Sequence, residues 1–291
     1  MGALGMGRVA VLAAAVVLVG ATACGERSEP KGATVRLYPV TVTSAADRPL
    51  VVRRAAKRIA VLATGPREIL RALGALRRVT GMPVDPSGAI ELAKLKRMRP
   101  DLIVADDQAD EVQLSRAEEA THASVYLAPG DSIREVEQAI TSLGLVADEP
   151  VAARRLVHSI EVKRALVVSK LAHARPVSVF FDTGLFVTVS DQSLAGDLIR
   201  EARGRNVAGP SPGSEPFDLG QLASANSRLY LTTSDSGTTL RDVRRNPQTR
   251  KLTAVQKKRF AVVDAGLLEP GPRIGDDLVA IAHLLHPDAF R

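Results

Sequence analysis

Cys24 is the one cysteine among 291 residues, so the chain can hold no disulfide framework and must draw its stability from hydrophobic cores. Its sulfur is left for other chemistry. The residue follows the small residues Ala21-Thr22-Ala23 and, before them, an apolar stretch at 9–19 headed by a single charge, Arg8. That stretch is shorter than the roughly 20 apolar residues needed to cross a bilayer, and it has the length of an export-signal core. Among the five histidines, His122, His158, His173, His283 and His286, only His283 and His286 stand at i, i+3, a spacing that can share a metal ion. With no other His or Cys grouped beside them, no metal site is assigned and a bare zinc or manganese receptor is not implied. Ser190-Asp191 and Asp276-Asp277 offer hydroxyl and acid groups, but the sequence has no phosphate loop, nucleophile elbow or His-Glu-x-x-His. Gly184, Gly196, Gly204 and Gly209 do not form a dinucleotide fingerprint. The residues give no basis for catalysis, and the chain is not expected to be an enzyme.

The elements that must position these groups follow from the hydrophobic pattern. Residues 25–32 are polar and rich in Gly, Pro and charge, as a flexible tether would be. The stretch 36–42 alternates and is β-branched, Asp47-Arg48-Pro49 marks a turn, and 50–52 resumes extension, which predicts a hairpin. Short apolar runs then alternate with helical spacing. Strands are predicted at 59–62, 79–81, 102–105 and 124–127, and helices at 68–76, 90–98, 113–120 and 132–143. The region 149–174 lacks Gly, and Val151, Leu156, Ile160, Leu166 and Leu171 recur at near-helical spacing, so one long helix is predicted there. The pattern restarts with strands at 177–181, 228–232 and 260–263 and helices at 193–202, 240–246 and 274–285. This alternation predicts an α/β protein of two Rossmann-like lobes, each with a parallel sheet covered on both faces, joined by one long helix. Such sheets bind ligands at the carboxyl ends of their strands. The expected organisation is a signal at 1–23, a tether at 24–33, an N-terminal lobe at 34–148, a linking helix at 149–174 and a C-terminal lobe at 175–291.

Composition narrows the partners. The formal charge is +7, from 39 basic and 32 acidic residues, and it could assist attraction to anionic headgroups or an acidic ligand. The basic residues are spread out, Trp is absent and aromatics make up 3%, so stacking platforms for nucleic acid are few.

Two resemblances sharpen this reading. Ala21-Thr22-Ala23-Cys24 resembles a bacterial lipobox, with Ala21 where Leu is commonest. The resemblance implies that Cys24 carries diacylglycerol and becomes the mature N-terminus, anchoring the chain on the extracytoplasmic face of the cell membrane. A second likeness is carried by an ordered series of segments. In the first half these are Tyr38-Pro39-Val40-Thr41-Val42-Thr43, Lys57-Arg58-Ile59-Ala60-Val61, Glu68-Ile69-Leu70-Arg71-Ala72-Leu73-Gly74-Ala75 and Arg99-Pro100-Asp101-Leu102-Ile103-Val104. In the second they are Gly204-Arg205-Asn206-Val207-Ala208-Gly209, Pro270-Gly271-Pro272-Arg273-Ile274-Gly275 and Leu284-Leu285-His286-Pro287. The series resembles the solute-binding lipoproteins of ABC importers for iron-siderophores, haem and cobalamin, the helical-backbone metal receptors of the periplasmic binding proteins.

The resemblance implies a monomer that captures a metal chelate in a ligand cleft between the two lobes and hands it to an ABC permease. It has no cofactor of its own, and iron or cobalt enters only within the ligand. By position, the cleft should draw on Thr64, Gly65, Asp85, Asp106, Asp107, Asp182, Thr183, Phe186, Thr233, Ser234 and Arg273, each placed after a predicted strand end. Arg273 can grip a carboxylate or phosphate in bidentate fashion, since many ligands of the family are anionic, or pair with Asp276 or Asp277. Aromatic faces are scarce: Tyr38, Tyr126 and Tyr230 are the tyrosines, and Phe186 is placed to supply one. In the family each lobe docks on the transporter through a glutamate, but Ala93 and Gly220 stand at those positions here. Glu91 and Asp218 lie two residues earlier, while Lys94 and Arg97 make the first region basic. These departures motivate two alternatives, a permease of reversed charge or a lipoprotein of the same fold that works without an importer as a scavenger, sensor or assembly partner.

Overall fold

The computed structural model describes residues 38–45, 48–211, 213 and 215–291. The expected signal, Cys24 and the tether lie outside the described residues.

The first described element is the hairpin of β1 (Val40–Thr43) and β2 (Pro49–Val52), antiparallel with Val40 opposite Val52. It is fastened to the body by Tyr38, whose hydroxyl donates to the Leu145 carbonyl at 2.6 Å, and by Ser44, which exchanges hydrogen bonds with the backbone of Leu127. The chain then builds β3 (Ile59–Val61), β4 (Val79–Gly81), β5 (Leu102–Asp106) and β6 (Ser124–Ala128), all parallel in the order β4-β3-β5-β6. Ile59, Ala60 and Val61 are buried throughout, as a strand covered on both faces requires.

A second sheet repeats the plan. The strands β7 (Val177–Gly184), β9 (Gly204–Asn206), β10 (Leu229–Thr233) and β11 (Phe260–Val263) run parallel in the order β9-β7-β10-β11. This is the same 2-1-3-4 order as the first sheet. The short β8 (Val187–Thr188) folds back antiparallel on β7 beyond the residues that pair with β9.

The helices of the first lobe are α1 (Thr64–Ala72), α2 (Leu92–Met98), α3 (Glu111–Thr121) and α4 (Ile133–Val146). Local chemistry sets several of their starts. The Asp110 carboxylate accepts from the Gln113 amide, and the Ser132 hydroxyl from that of Glu135. α1 begins four residues earlier than the pattern predicted, because Pro66 needs no hydrogen-bond donor in a first turn. Next comes α5 (Pro150–Lys170), opened by Pro150 and about 31 Å long at 1.5 Å per residue over its 21 residues. Its buried residues are Ala153, Ile160 and Val167, one every seven positions, whereas Val151 and Leu166 are exposed.

The second lobe adds α6 (Leu194–Glu201), α7 (Leu219–Ala225), α8 (Leu240–Arg245), α9 (Thr253–Gln256) and α10 (Ile274–Leu285). β8, β9, α7 and α9 were not predicted from sequence. All are short, and β9 reads Gly-Arg-Asn, a segment made extended by the edge of β7 and not by its own propensity. One hydrophobic core spans both lobes, from Val42 through α4, α5 and α6 to Leu285. Smaller clusters fill the outer face of each sheet. Among the described residues no helix is long and apolar enough to cross a membrane.

Candidate functional site

The two parallel sheets point their carboxyl ends at one cavity of about 640 Å³. The first lobe supplies 62–66 after β3, Asp106, Asp107 and Gln108 after β5, and Gly130-Asp131 after β6. The second supplies Thr183, Thr188-Val189-Ser190, the start of α6 and Glu269-Pro270. The lobes touch at its rim. A Cβ at Gly130 would lie 2.7 Å from Cγ of Pro270, and one at Gly65 would run into the Pro270 carbonyl, so glycine is what lets Pro270 close on the first lobe. Deeper, the Asp197 carboxylate of α6 accepts from the Ile133 amide at 2.8 Å and also pairs with Arg200. A buried charge of the second lobe thus satisfies a free donor at the start of α4.

The wall is acidic. Asp107 accepts from the Gly130 amide at 3.1 Å and from the Gln108 side chain at 3.2 Å. Oxygens of Asp107, Asp131 and Glu135 lie within 4.8 Å of one another. Burial, and then the charge of Asp107, push Asp106 above the usual carboxylate range. Burial, Asp107 and Glu135 do the same to Asp131. A side hollow of about 350 Å³ shares Thr64, Gly65 and Glu269 with the main cavity and adds Glu68, Arg273 and Asp277.

Of the positions named from sequence, the structure brings Thr64, Gly65, Asp106, Asp107 and Thr183 into the main wall. Arg273 lines only the side hollow; it is 65% exposed and its Nη2 lies 3.8 Å from Asp264, while Asp276 pairs with Lys163 at 2.7 Å. Asp85 is not in the cavity wall, its carboxylate held in a turn by Ser87 and Ala89. Asp182 is buried and accepts from the Gly184 and Phe186 amides, the Tyr230 hydroxyl at 2.7 Å and the Thr238 hydroxyl at 3.1 Å. Phe186 packs on the outer core of the second lobe, Thr233 is buried, and the Ser234 hydroxyl accepts from the Ala265 amide.

Gly130, Asp131, Thr188, Ser190, Glu269 and Pro270 were not named for the cleft. Gly130-Asp131 carried the same signal as Asp106-Asp107, a turn directly after an apolar run, while Glu269-Pro270 follows a 3-10 turn, Ala265–Leu268, that carries no strand pattern. His283 is exposed, and its ring centroid lies 4.0 Å from that of Phe290, the rings tilted by 31°.

In the regions that the resemblance assigns to docking, α2 and α7 occupy the same place in the two lobes, and each ends on a left-handed residue, Arg99 and Asn226. Glu91 is 3.0 Å from Lys94, and the Asp218 carboxylate caps α7 by accepting from the Gln221 amide at 2.7 Å.

Two lobes of repeated topology around one interlobe cavity define a two-lobed α/β protein whose candidate binding site lies between the lobes. The chain belongs to the periplasmic binding protein family, whose model matches residues 71–267. It is 22% identical, over 97% of both chains, to the uncharacterized ABC transporter substrate-binding lipoprotein YvrC of Bacillus subtilis. Among solved structures, Helicobacter pylori Ceue with Ni(II) bound superposes with a TM-score of 0.73 at 16% identity, covering 86% of this chain and 90% of that one. The apo periplasmic haem-binding protein RhuT of Roseiflexus sp. gives 0.68 at 18%, covering 81% and 100%. A protein of the ABC-type Fe3+-hydroxamate transport system of Saccharomonospora viridis gives 0.66 at 20%, covering 85% and 99%. At these identities the structural likeness is one of fold.

Proposed function

We propose that this chain is a lipid-anchored, extracytoplasmic solute-binding protein that captures a metal chelate for an ABC importer. The observation that carries the reading is the cavity of about 640 Å³ at the carboxyl ends of both sheets in a member of this family. Support comes from the names of its relatives: a substrate-binding lipoprotein, a Ni(II)-bound protein, a haem-binding protein and a Fe3+-hydroxamate transport protein. Thr64, Gly65, Asp106, Asp107 and Thr183, with Gly130, Asp131 and Glu269, are the residues assigned to ligand contact. Cys24 is assigned the lipid, following the lipobox resemblance and the lipoprotein name of the B. subtilis relative. A Cys24→Ser variant should leave the membrane fraction.

The test of capture is dye-monitored melting of residues 26–291 against ferric siderophores, haem, cobalamin and free metals. A ligand at about 100 times its Kd adds about 2.7 kcal/mol, which moves Tm by several degrees at this size. A panel without any shift would overturn the reading.

A second reading, the same fold working without an importer, is favoured by one feature. Ala93 and Gly220 carry no docking charge, and the nearby carboxylates are engaged, Glu91 by Lys94 and Asp218 as a helix cap. Co-purification with the permease decides between the two. Charge reversal at Lys94 and Arg97 should weaken it if docking uses reversed charges, and unchanged binding would sink that arrangement.

A further inference from the structure

We infer that the chelate held between the lobes carries net positive charge and binds without aromatic stacking. The inference rests on the capture reading above and names the charge class of its ligand.

The cavity wall contains four carboxylate residues, Asp106, Asp107, Asp131 and Glu269, and among the described residues lining it there is no Lys, Arg, His, Tyr or Phe. None of these carboxylates, nor Glu135 beside them, takes part in an ion pair among the described residues. Bringing the oxygens of Asp107, Asp131 and Glu135 within 4.8 Å of one another is unfavourable for three like charges unless a cation relieves it. The side hollow does not reverse the sign, since it brings Glu68 and Asp277 against Arg273, and Arg273 leans to Asp264. Glu68 is itself engaged by Arg67 and Arg71 on α1.

An independent feature sits in the same wall. Thr188 is 2% exposed, and its hydroxyl has no hydrogen-bond partner among the described residues. A native structure rarely leaves such a group unsatisfied; the oxygen is itself shut off from the cavity, so a ligand donor would satisfy it only once neighbouring side chains give way.

Charge then sorts the chelates. A ferric trihydroxamate is neutral at its core, so a free ammonium on its backbone makes it a cation of +1. A ferric triscatecholate carries −3, and the two propionates of haem are anionic at neutral pH. The wall repels the last two, and it offers the haem ring no aromatic face.

The test uses two matched pairs, each read by melting and by calorimetric titration of residues 26–291. The first is a ferric trihydroxamate with a free ammonium against the same chelate N-acetylated at that amine. The second is hexaamminecobalt(III) against hexacyanoferrate(III), inert octahedral complexes of opposite charge. The cationic member of each pair should bind roughly 10-fold or more tighter, the scale of one charge-assisted contact, and the advantage should shrink as salt screens it. Asp107→Asn and Asp131→Asn should each remove much of that advantage while melting no lower than the parent does without ligand. If the neutral or anionic member binds equally well or better, the charge inference is overturned and capture stands. If no member of either pair binds while the wider panel contains a ligand, the inference is likewise overturned. A silent panel overturns both.

Discussion

Asp106 and Asp182 look alike in sequence, an aspartate closing an apolar run in each lobe, yet their surroundings separate them. Asp106 opens onto the cavity, whereas Asp182 spends its oxygens on two amides and two hydroxyls inside the second lobe. Burial and the Asp182 charge push the Tyr230 hydroxyl well above the usual tyrosine range, so the tyrosine stays a donor. Replacing Asp182 by Ala strands these donors and is expected to cost about 3 kcal/mol or more; Tyr230→Phe, which removes one donor from a buried charge, should cost about 1.5–3 kcal/mol. Urea unfolding of both variants checks the order. Asp277 makes a pH-dependent case of the opposite sign. Burial first, and then the charges of Asp276 and Asp264 against the pull of Arg273 and Lys163, push it up to about 6. Below about pH 4 folded and unfolded chains both hold the proton, and the group contributes nothing. Between about 4 and 6 the unfolded chain releases it first, so stability falls with rising pH, and above about 6 the loss is constant. Asp277→Asn should therefore melt higher than the parent at pH 7 and equal to it at about pH 3.5. With the carboxyl partly exposed, solvent screening limits the gain to about 1 kcal/mol or less, a rise of up to about 2–4 °C.

Elements meet where side chains are missing. Gly144 on α4 faces Ala153 on α5, and a Cβ at Gly144 would sit closer to the Ala153 methyl than carbon atoms pack. Alanine is the better helix former by about 1 kcal/mol, so an isolated helix would gain from Gly144→Ala. In this pair the clash dominates, and a net loss of about 1–3 kcal/mol is expected. Ala153→Gly in the same chain should recover part of it, and a double-mutant cycle reads the coupling. Nothing in the run Ser142-Leu143-Gly144-Leu145 announced this contact, because it depends on which face of α4 meets α5. The same limit explains what was legible. Buried strands such as 102–105 and helices with full apolar stripes could be read directly, since every residue there carries the signal. β9 and α9 could not, being three and four residues long and fixed by neighbours distant in sequence. The cleft divides the same way: rules about strand ends reached Thr64, Gly65, Asp106, Asp107 and Thr183. They did not reach Thr188 on a two-residue strand, or Pro270, whose role is set by two glycines of the other lobe.

At the scale of the whole molecule, the question is how far the lobes can move. Two sheets with separate cores joined by a flexible linker would hinge widely on binding. Here one core runs from β1 to α10, and α5 packs along its length on α4 and α10. The Arg164–Glu201 pair ties α5 to α6 through two hydrogen bonds, of 2.9 and 2.6 Å, and the Asp197 carboxylate ties α6 to the start of α4. Opening the cleft by a large rotation would expose part of that core and break a buried charge-assisted contact, so the free energy rises steeply with angle. The lobes should accordingly unfold together, in one calorimetric transition whose enthalpy matches the van't Hoff value. Ligand should then be met by adjustment of side chains and of the Pro270 rim, with backbone shifts of about 1 Å or less. Small-angle scattering of residues 26–291, with and without a saturating ligand, reads this directly: the two radii of gyration should agree within about 1 Å. Two separate melting transitions, or a contraction of several ångströms on binding, would show instead that the shared core yields and that capture is a closing motion.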